Sequence, residues 1–442
     1  MNKKVFVETY GCQMNVSDTE LVKTILSAAD YTFVPTELEA DVVMLNTCSV
    51  RDNANRKVFN RVHEIRHARE KNAPVLVGVL GCMATNFRRK LLENPSLGID
   101  FIAGPDSYKN LPQLIDAVSE TGEKQFNITL SEFETYQDIY PTREAGGVNA
   151  LISIMRGCNN YCTFCVVPHT RGRERSRDPK SILEEVNRLV SEGITQVTLL
   201  GQNVNSYRYE ETDFTDLMAM VSDVVGLRRI RYMSPHPKDY PTKLLKLMAE
   251  RDNICKQIHM PLQAGNNRVL EKMNRTYTRE EFFALVDEAR AIMPDVVLST
   301  DIIVGFCTET AEEFEETMDV VRRVEFDVSY MFKYSERPNT LASSRFKDDV
   351  PEAEKTRRIV DLVALQNEIT YKKNLSYVGK TVVSLVDKLG SRKDPNAVVG
   401  RTDGNTLVMF PGNGEYALGE YVKVQITEAT PHMVRGVAIG RL

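Results

Sequence analysis

Between residues 148 and 375 the chain repeats one rhythm six times: a short apolar run, then a longer stretch with apolar residues spaced for one face of a helix. The apolar runs are Leu151–Met155, Gln196–Leu200, Arg229–Met233, Gln257–Pro261, Val296–Val304 and Val328–Tyr334. The helical stretches include Pro179–Glu192, Asp213–Val225, Thr242–Arg251, Thr278–Ile292 and Thr310–Val324. Strands that each return through a helix run parallel, so six such units predict a partial (β/α)6 barrel. In that architecture ligands meet the C-terminal ends of the strands. The amphipathic stretch Pro351–Leu375 closes this unit or bridges to the next.

Two other units flank it, giving an α/β protein with an all-β tail. Residues 1–122 hold three buried-strand candidates, Val5–Tyr10, Val42–Leu45 and Val75–Leu80, separated by helical stretches such as Asp18–Ala29 and Asn53–Lys71. This predicts an N-terminal parallel α/β domain. Residues 123–147, polar and ending in Pro141 and Gly146-Gly147, predict a linker. From residue 376 to 442, short runs at Val382–Val386, Leu407–Phe410 and Tyr421–Ile426 lie between Gly, Asn and Asp turns, which predicts a small β-barrel.

No apolar run is long enough to span a bilayer, and the first residues carry no signal-peptide pattern. The expected location is the cytosol. Thiols stay reduced there, so the eight cysteines call for metal, catalysis or burial rather than disulfides. The net charge of −5 argues against a protein that coats nucleic acid indiscriminately, while leaving room for local basic patches.

The loop after the first barrel strand reads Met155-Arg156-Gly157-Cys158-Asn159-Asn160-Tyr161-Cys162-Thr163-Phe164-Cys165. Thiolates are soft ligands that select iron–sulfur clusters or zinc. Three of them on a four-iron cubane leave one iron open. That iron can chelate the amino and carboxylate groups of S-adenosylmethionine (SAM), and an electron passed to the sulfonium then releases a 5′-deoxyadenosyl radical. A structural zinc site is the competing reading. It wants four closed ligands, and His169 is the nearest candidate for the fourth.

Cys12, Cys48 and Cys82 each follow one of the N-terminal strand candidates. Parallel strands end at one sheet edge, so the three can converge into a second three-thiolate site in the crevice where α/β sheets bind ligands. Burial as small hydrophobes is the alternative for each taken alone. Cys255 and Cys307 are read as non-ligands.

The triplet resembles that of the radical SAM superfamily. The whole chain resembles the methylthiotransferase family in its MiaB branch, through Glu8-Thr9-Tyr10-Gly11-Cys12-Gln13-Met14-Asn15, Asn46-Thr47-Cys48-Ser49-Val50-Arg51-Asp52-Asn53-Ala54 and Gly81-Cys82-Met83-Ala84. The resemblance implies two [4Fe-4S] clusters, an auxiliary one on Cys12, Cys48 and Cys82 and a radical SAM one on Cys158, Cys162 and Cys165. It implies a C-terminal RNA-binding TRAM domain. It implies addition of a methylthio group to carbon 2 of isopentenylated adenosine beside the anticodon of tRNA, with SAM as methyl donor and as radical source. An electron donor protein and a sulfur source are implied as partners. Phe164 is implied to lie near the SAM adenine, and Gly201, Gln202 and Asn203 to meet its amino group. Ser234, Gln263 and Arg275, at or after later strand ends, are candidates for the ribose hydroxyls or the carboxylate, with Arg275 suited to a bidentate contact. Loop capping or a surface ion pair accounts for these equally well. One departure stands out: Gly305-Phe306-Cys307-Thr308-Glu309-Thr310 replaces the usual Gly-Phe-Pro-Gly-Glu-Thr.

For RNA, Arg171, Arg173, Arg175 and Arg177 alternate just after the cluster loop, and an extended segment would set them on one side for phosphates. Arg51–Lys71 is a second basic stretch, through Arg51, Arg56, Lys57, Arg61, Arg66, Arg69 and Lys71. Taken by itself, that stretch reads first as a solvated helix face. The C-terminal barrel, with eight Lys plus Arg against six Asp plus Glu, is not strongly basic. Phe410, Tyr416 and Tyr421 are candidates for base stacking or for barrel core. The rivals are a methylthiotransferase acting on a protein aspartate, a threonylcarbamoyl-adenosine branch, and a non-catalytic RNA-binding protein with structural metal. The Cys12 and Cys48 contexts favour the tRNA branch.

Overall fold

The computed structural model describes residues 3–49, 52–69, 75–143, 147–391, 394–412 and 414–442; in the second of these the described side chains are those of 57–68. Arg51 and Lys71 of the expected basic stretch, and the side chains of Arg56 and Arg69, lie outside the described residues.

The N-terminal unit is a parallel sheet in the order Thr32–Phe33, Lys4–Tyr10, Val42–Thr47, Leu76–Gly81, Phe101–Ala103 and Gln125–Asn127. The winding reverses between Lys4–Tyr10 and Val42–Thr47, which opens a crevice at their C-terminal ends. Helices Gln13–Ala28 and Leu111–Thr121 cover one face through Leu21, Leu26, Leu111 and Ile115. Helix Asp52–Arg69 covers the other through Val58, Val62 and Ile65. Val42–Thr47 is buried along its whole length, as a strand clad on both faces must be.

Thr32–Phe33 and Phe101–Ala103 add strands that the apolar pattern does not reveal, because two and three residues carry no period. The stretch expected as a linker is built into this unit. Gln125–Asn127 completes the sheet. Further on, Tyr136 packs beside Tyr108, ring centroids 6.0 Å apart, and donates to the Pro105 carbonyl at 3.0 Å.

The central unit contains the six expected strands, at Asn149–Ser153, Gln196–Leu200, Arg229–Tyr232, Gln257–His259, Val297–Val304 and Val328–Lys333. They form two parallel three-stranded sheets joined by a single parallel bridge from Ile230 to Ile254. Helix Glu352–Leu375 packs on the last strand.

The departure near Cys307 is a turn after the fifth strand. Glu309, buried, accepts hydrogen bonds from the Gly305 amide (2.5 Å) and Arg358 (2.7 Å). Thr308 takes a positive φ of 67°, which a β-branched residue rarely adopts. Its hydroxyl is engaged by Arg268 at 3.1 Å and Lys272 at 2.6 Å, contacts that offset the strain.

The C-terminal unit is a closed barrel of Thr381–Leu389, Ala397–Arg401, Leu407–Pro411, Val434–Arg441 and Tyr421–Ala429. It seats on the N-terminal ends of the central strands. Arg229 donates to the Arg401 (2.7 Å) and Val383 (2.9 Å) carbonyls, and Arg231 to that of Thr402 (2.6 Å). Tyr421 meets Thr195 at 3.3 Å and lies under the guanidinium of Arg228, 3.9 Å from its ring centroid. This edge is opposite the one on which the cysteines lie.

Candidate active site

Cys158, Cys162 and Cys165 occupy the loop at the C-terminal end of the first barrel strand. Gly157 makes its turn with a φ of +80°, and a Cβ there would lie 2.0 Å from the Arg173 carbonyl oxygen, so the position needs glycine. The loop is tied on several sides. The Cys158 amide donates to the Gly172 carbonyl (3.1 Å) and that of Thr163 to Met273 (2.9 Å), while the Asn274 side chain donates to the Asn160 (3.0 Å) and Tyr161 (3.1 Å) carbonyls. Burial, then the neighbouring thiols, pushes the Cys165 thiol far up, and burial pushes Cys158 up to about 11. A bound cation relieves that penalty by taking the thiolates, so the donor set suits a metal cluster.

Arg275 is buried, and its guanidinium donates to Cys162 Sγ (3.3 Å), the Tyr277 hydroxyl (3.1 Å) and the Pro261 carbonyl (2.8 Å). All three guanidinium nitrogens thus donate to the protein, one of them to Cys162, while Nη1 and Nη2 each keep a second N–H. Sequence reasoning missed that contact, because 113 residues separate the pair.

The other expected SAM positions surround the same edge. Asn203 is 1% exposed, and neither Oδ1 nor Nδ2 has a partner among the described residues; Gln202 Oε1 is also unpartnered. Buried polar atoms left unpaired are costly unless a ligand completes them, and here they follow the second strand end. Gly201 packs flat against Met155: a Cβ would come within 2.5 Å of its Cγ. Ser234 and Gln263 both hold positive φ, 61° and 73°, at the third and fourth strand ends. Such strain concentrates where ligands are gripped. Phe164 is partly buried against the barrel core.

Cys12, Cys48 and Cys82 gather at the crevice of the N-terminal sheet. Cys12 caps helix Gln13–Ala28, and a Cβ on Gly11 would sit 2.5 Å from Cys48 Cβ. A hydrogen bond with Cys48, and then the charge of Arg171, lowers the Cys12 thiol to about 6. Its Sγ lies 3.2 Å from Asn15 Oδ1, and Asn15 is fixed by Asn46 at 3.2 Å. Cys82 opens the short helix Cys82–Asn86, which packs on helix Val167–Arg171. No three His, Cys, Asp or Glu side chains among the described residues close around a single ion position. A four-iron cluster does not require that, since each thiolate binds a different iron.

The two cysteine sites face each other. Met14, two residues after Cys12, packs with Leu151 and Leu200, and Leu200 immediately precedes Gly201. Asn339, beyond the last barrel strand, donates to Asn86 Oδ1 at 3.0 Å. Asp18, fully buried, accepts from Arg156 (2.6 Å) and Arg171 (2.7 Å), which flank the Cys158–Cys165 loop. Burial alone would raise the Asp18 carboxyl; Arg171 and Arg156 outweigh it and hold it below its ordinary value.

These contacts correct the expected phosphate-binding row. Arg171 pairs with Asp18, Arg175 with Asp106 at 2.9 Å and Arg177 with Glu185 at 2.5 Å, all three buried. The segment is not extended throughout either: a helix ends at Arg171, Gly172 turns, only Arg175–Ser176 form a short strand, and of the four arginines only Arg173 is exposed. In the other basic stretch Arg61 pairs with Glu8 (2.8 Å), and Arg66 with Asp100, so these two serve the domain's own fold. Of the stacking candidates, Phe410 is barrel core, Tyr421 is the domain joint, and Tyr416 packs edge-on to Phe410 at 5.4 Å. Cys255 and Cys307 are both buried.

Fold and loop together define a radical SAM protein with an additional N-terminal cysteine domain. Residues 152–321 match the model of the radical SAM superfamily, 4–104 that of an uncharacterized protein family, UPF0004, and 375–439 that of the TRAM domain. The chain belongs to the family of the tRNA-2-methylthio-N(6)-dimethylallyladenosine synthases. It is 45% identical over 441 residues to the protein of that name from Bacteroides thetaiotaomicron, covering 98% of this chain and 96% of the relative. The Phocaeicola vulgatus protein of the same name is 46% identical over 442 residues, again 98% and 96%. Among solved structures, the radical SAM methyltransferase TsrM from Kitasatospora setae superimposes with a TM-score of 0.59 at 16% identity, over 78% of this chain and 74% of that one. The cobalamin-dependent SAM radical enzyme OxsB gives 0.54 at 12% identity, over 83% and 56%. These two share the fold.

Proposed function

We propose that the chain is a transferase that adds a methylthio group to carbon 2 of dimethylallylated adenosine beside the anticodon of tRNA. The observation that carries this is the convergence of two three-cysteine sites across one crevice, in a chain sharing 45% of its residues with the named synthases. The names of those relatives disfavour a protein-aspartate substrate.

Cys158, Cys162 and Cys165 hold one [4Fe-4S] cluster and Cys12, Cys48 and Cys82 the other. When bound, these clusters and SAM supply the electron, the radical and the sulfur that an unactivated aromatic C–H demands, since no acid–base route opens it at neutral pH. The chain's own residues do the positioning. Arg275 donates to Cys162 and so neutralises part of the thiolate charge. Asn203 and Gln202 offer unpaired polar atoms for the SAM amino group. The Arg156–Asp18–Arg171 bridge and the Met14 packing fix the distance between the two sites. The reacting base enters between them, and water is excluded by the apolar Met14, Leu151 and Leu200. An electron donor protein and a sulfur source complete the cycle. Among the described residues no helix is long and apolar enough to cross a membrane, and cytosolic tRNA is the expected partner.

An anaerobic assay with reductant, SAM and dimethylallylated anticodon stem-loop RNA, read by nucleoside mass spectrometry, tests the proposal. The methylthio product should form, and should vanish when Cys158, Cys162 and Cys165 become Ala. Formation of 5′-deoxyadenosine with unmodified RNA would reject the substrate and retain the radical chemistry.

A further inference from the structure

Arg171 is a cation buried where burial is expensive. It is 3% exposed, and its Nη2 donates to Asp18 Oδ2 at 2.7 Å. Its Nη1 is buried and has no hydrogen-bond partner among the described residues. Leaving a guanidinium N–H unpaired in the interior is unfavourable unless something completes it. The groups that hold its charge, after Asp18, are Cys82, Tyr108 and Cys12. Two of these are cysteines of the N-terminal site, and the helix that ends at Arg171 packs on the one that begins at Cys82. Arg156 shares the same carboxylate, yet none of the groups that set its charge is a cysteine. The two arginines are therefore unlike in what they face.

We propose that the Arg171 guanidinium is the charge partner of the auxiliary cluster, supplied across the domain boundary by the radical SAM unit, and that it raises the potential at which that cluster is reduced. The inference rests on the reading of Cys12, Cys48 and Cys82 as cluster ligands. Reduction adds negative charge, and a fixed cation beside a low-dielectric site stabilises the reduced form more than the oxidised one. Asp18 partly cancels that cation. The bridge thus ties the domains together and also sets the field at one of the two cysteine sites. Arg171 is a positioning residue in this role, acting on the cluster and not on the reacting base.

The sign of two substitutions separates charge from architecture. Both are made in the full chain with Cys158, Cys162 and Cys165 changed to Ala, so that one cluster remains, and its potential is followed by EPR during a reductive titration. Arg171→Gln removes the cation and should move the potential more negative by at least tenfold in the one-electron equilibrium, about 59 mV. Asp18→Asn, close to isosteric, removes the anion that offsets Arg171 and should move it more positive. A bridge that merely held the domains would shift both variants in the same direction, or neither, and would overturn the proposal. Should Arg171→Gln bind no iron, the Asp18→Asn shift alone decides: a positive shift supports the proposal and a negative or absent one overturns it. Absence of a four-iron cluster from the Cys-to-Ala parent itself would instead overturn the ligand reading on which the proposal depends.

Discussion

Arg229 is the residue on which the C-terminal barrel turns, and its removal separates RNA capture from radical chemistry. The side chain is 5% exposed and gives two hydrogen bonds to barrel carbonyls, at 2.7 and 2.9 Å, besides facing the Tyr421 ring at 5.0 Å. Hydrogen bonds to a charged group contribute about 1.5–3 kcal/mol each, and the ring contact about 0.5–1 kcal/mol. Arg229→Ala should therefore weaken the joint by about 3.5–7 kcal/mol. Adding Arg231→Ala removes the contact to Thr402 as well. Strands of five residues or so set the joint about 17–20 Å from the cysteine edge, too far for the barrel to touch the reacting base. The double variant should form 5′-deoxyadenosine from SAM within about twofold of the parent rate. Its affinity for the full anticodon stem-loop should fall at least tenfold, as lost avidity allows. Affinity for a short single-stranded loop oligonucleotide should hardly change. Measuring 5′-deoxyadenosine by chromatography and binding of both RNAs by fluorescence anisotropy decides it. Equal loss for the two RNAs, or loss of SAM cleavage alongside, would refute the reasoning.

Three further outcomes are expected. His236 is buried against Tyr277, and burial, followed by the charges of Arg275 and Lys238, depresses it to about 2. The unfolded chain takes up this proton below its ordinary value of about 6.5, so stability falls as pH drops, by up to about 1.4 kcal/mol at pH 5.5 and 2.7 at pH 4.5. His236→Asn lacks this component, and the unfolding free energies of variant and parent from urea denaturation should converge by about 2.3 kcal/mol between pH 6.5 and 4.5. Gly157→Ala forces a side chain into the Arg173 carbonyl; iron per chain should fall from about eight to about four while the circular dichroism spectrum is kept. Arg358→Met strands the buried Glu309 carboxylate and should cost about 3–5 kcal/mol in denaturant unfolding. Burial already raises the Glu309 carboxyl, so the deficit should shrink as pH falls and the group protonates. An undiminished deficit at pH 5 would count against an uncompensated charge.

What the sequence made legible was governed by local rules. Six strands with returning helices announce themselves by period, and three cysteines within eight residues announce shared chemistry. Cys12, Cys48 and Cys82 were legible one step further, because parallel strands end at one edge. The winding then reverses between the strands that precede Cys12 and Cys48, so the two are neighbours. The arginines were not legible. Their alternation from 171 to 177 reads as a phosphate-binding row, yet Asp18, Asp106 and Glu185 claim three of the four. Two of those acids belong to the N-terminal unit, and no local pattern pairs residues 153 positions apart. An unpaired buried charge is prohibitive, so a basic run beside a domain boundary has two outlets, solvent or acids from the neighbouring domain. Residues of the second kind reveal themselves only when both domains are in place. Here the acid of one unit, Asp18, lies on the helix that Cys12 caps, and the arginines of the other flank the loop of Cys158, Cys162 and Cys165. Any shift of one cysteine site against the other must therefore break a buried bridge with no water to replace it, so the separation of the two sites is held by electrostatics as well as by packing.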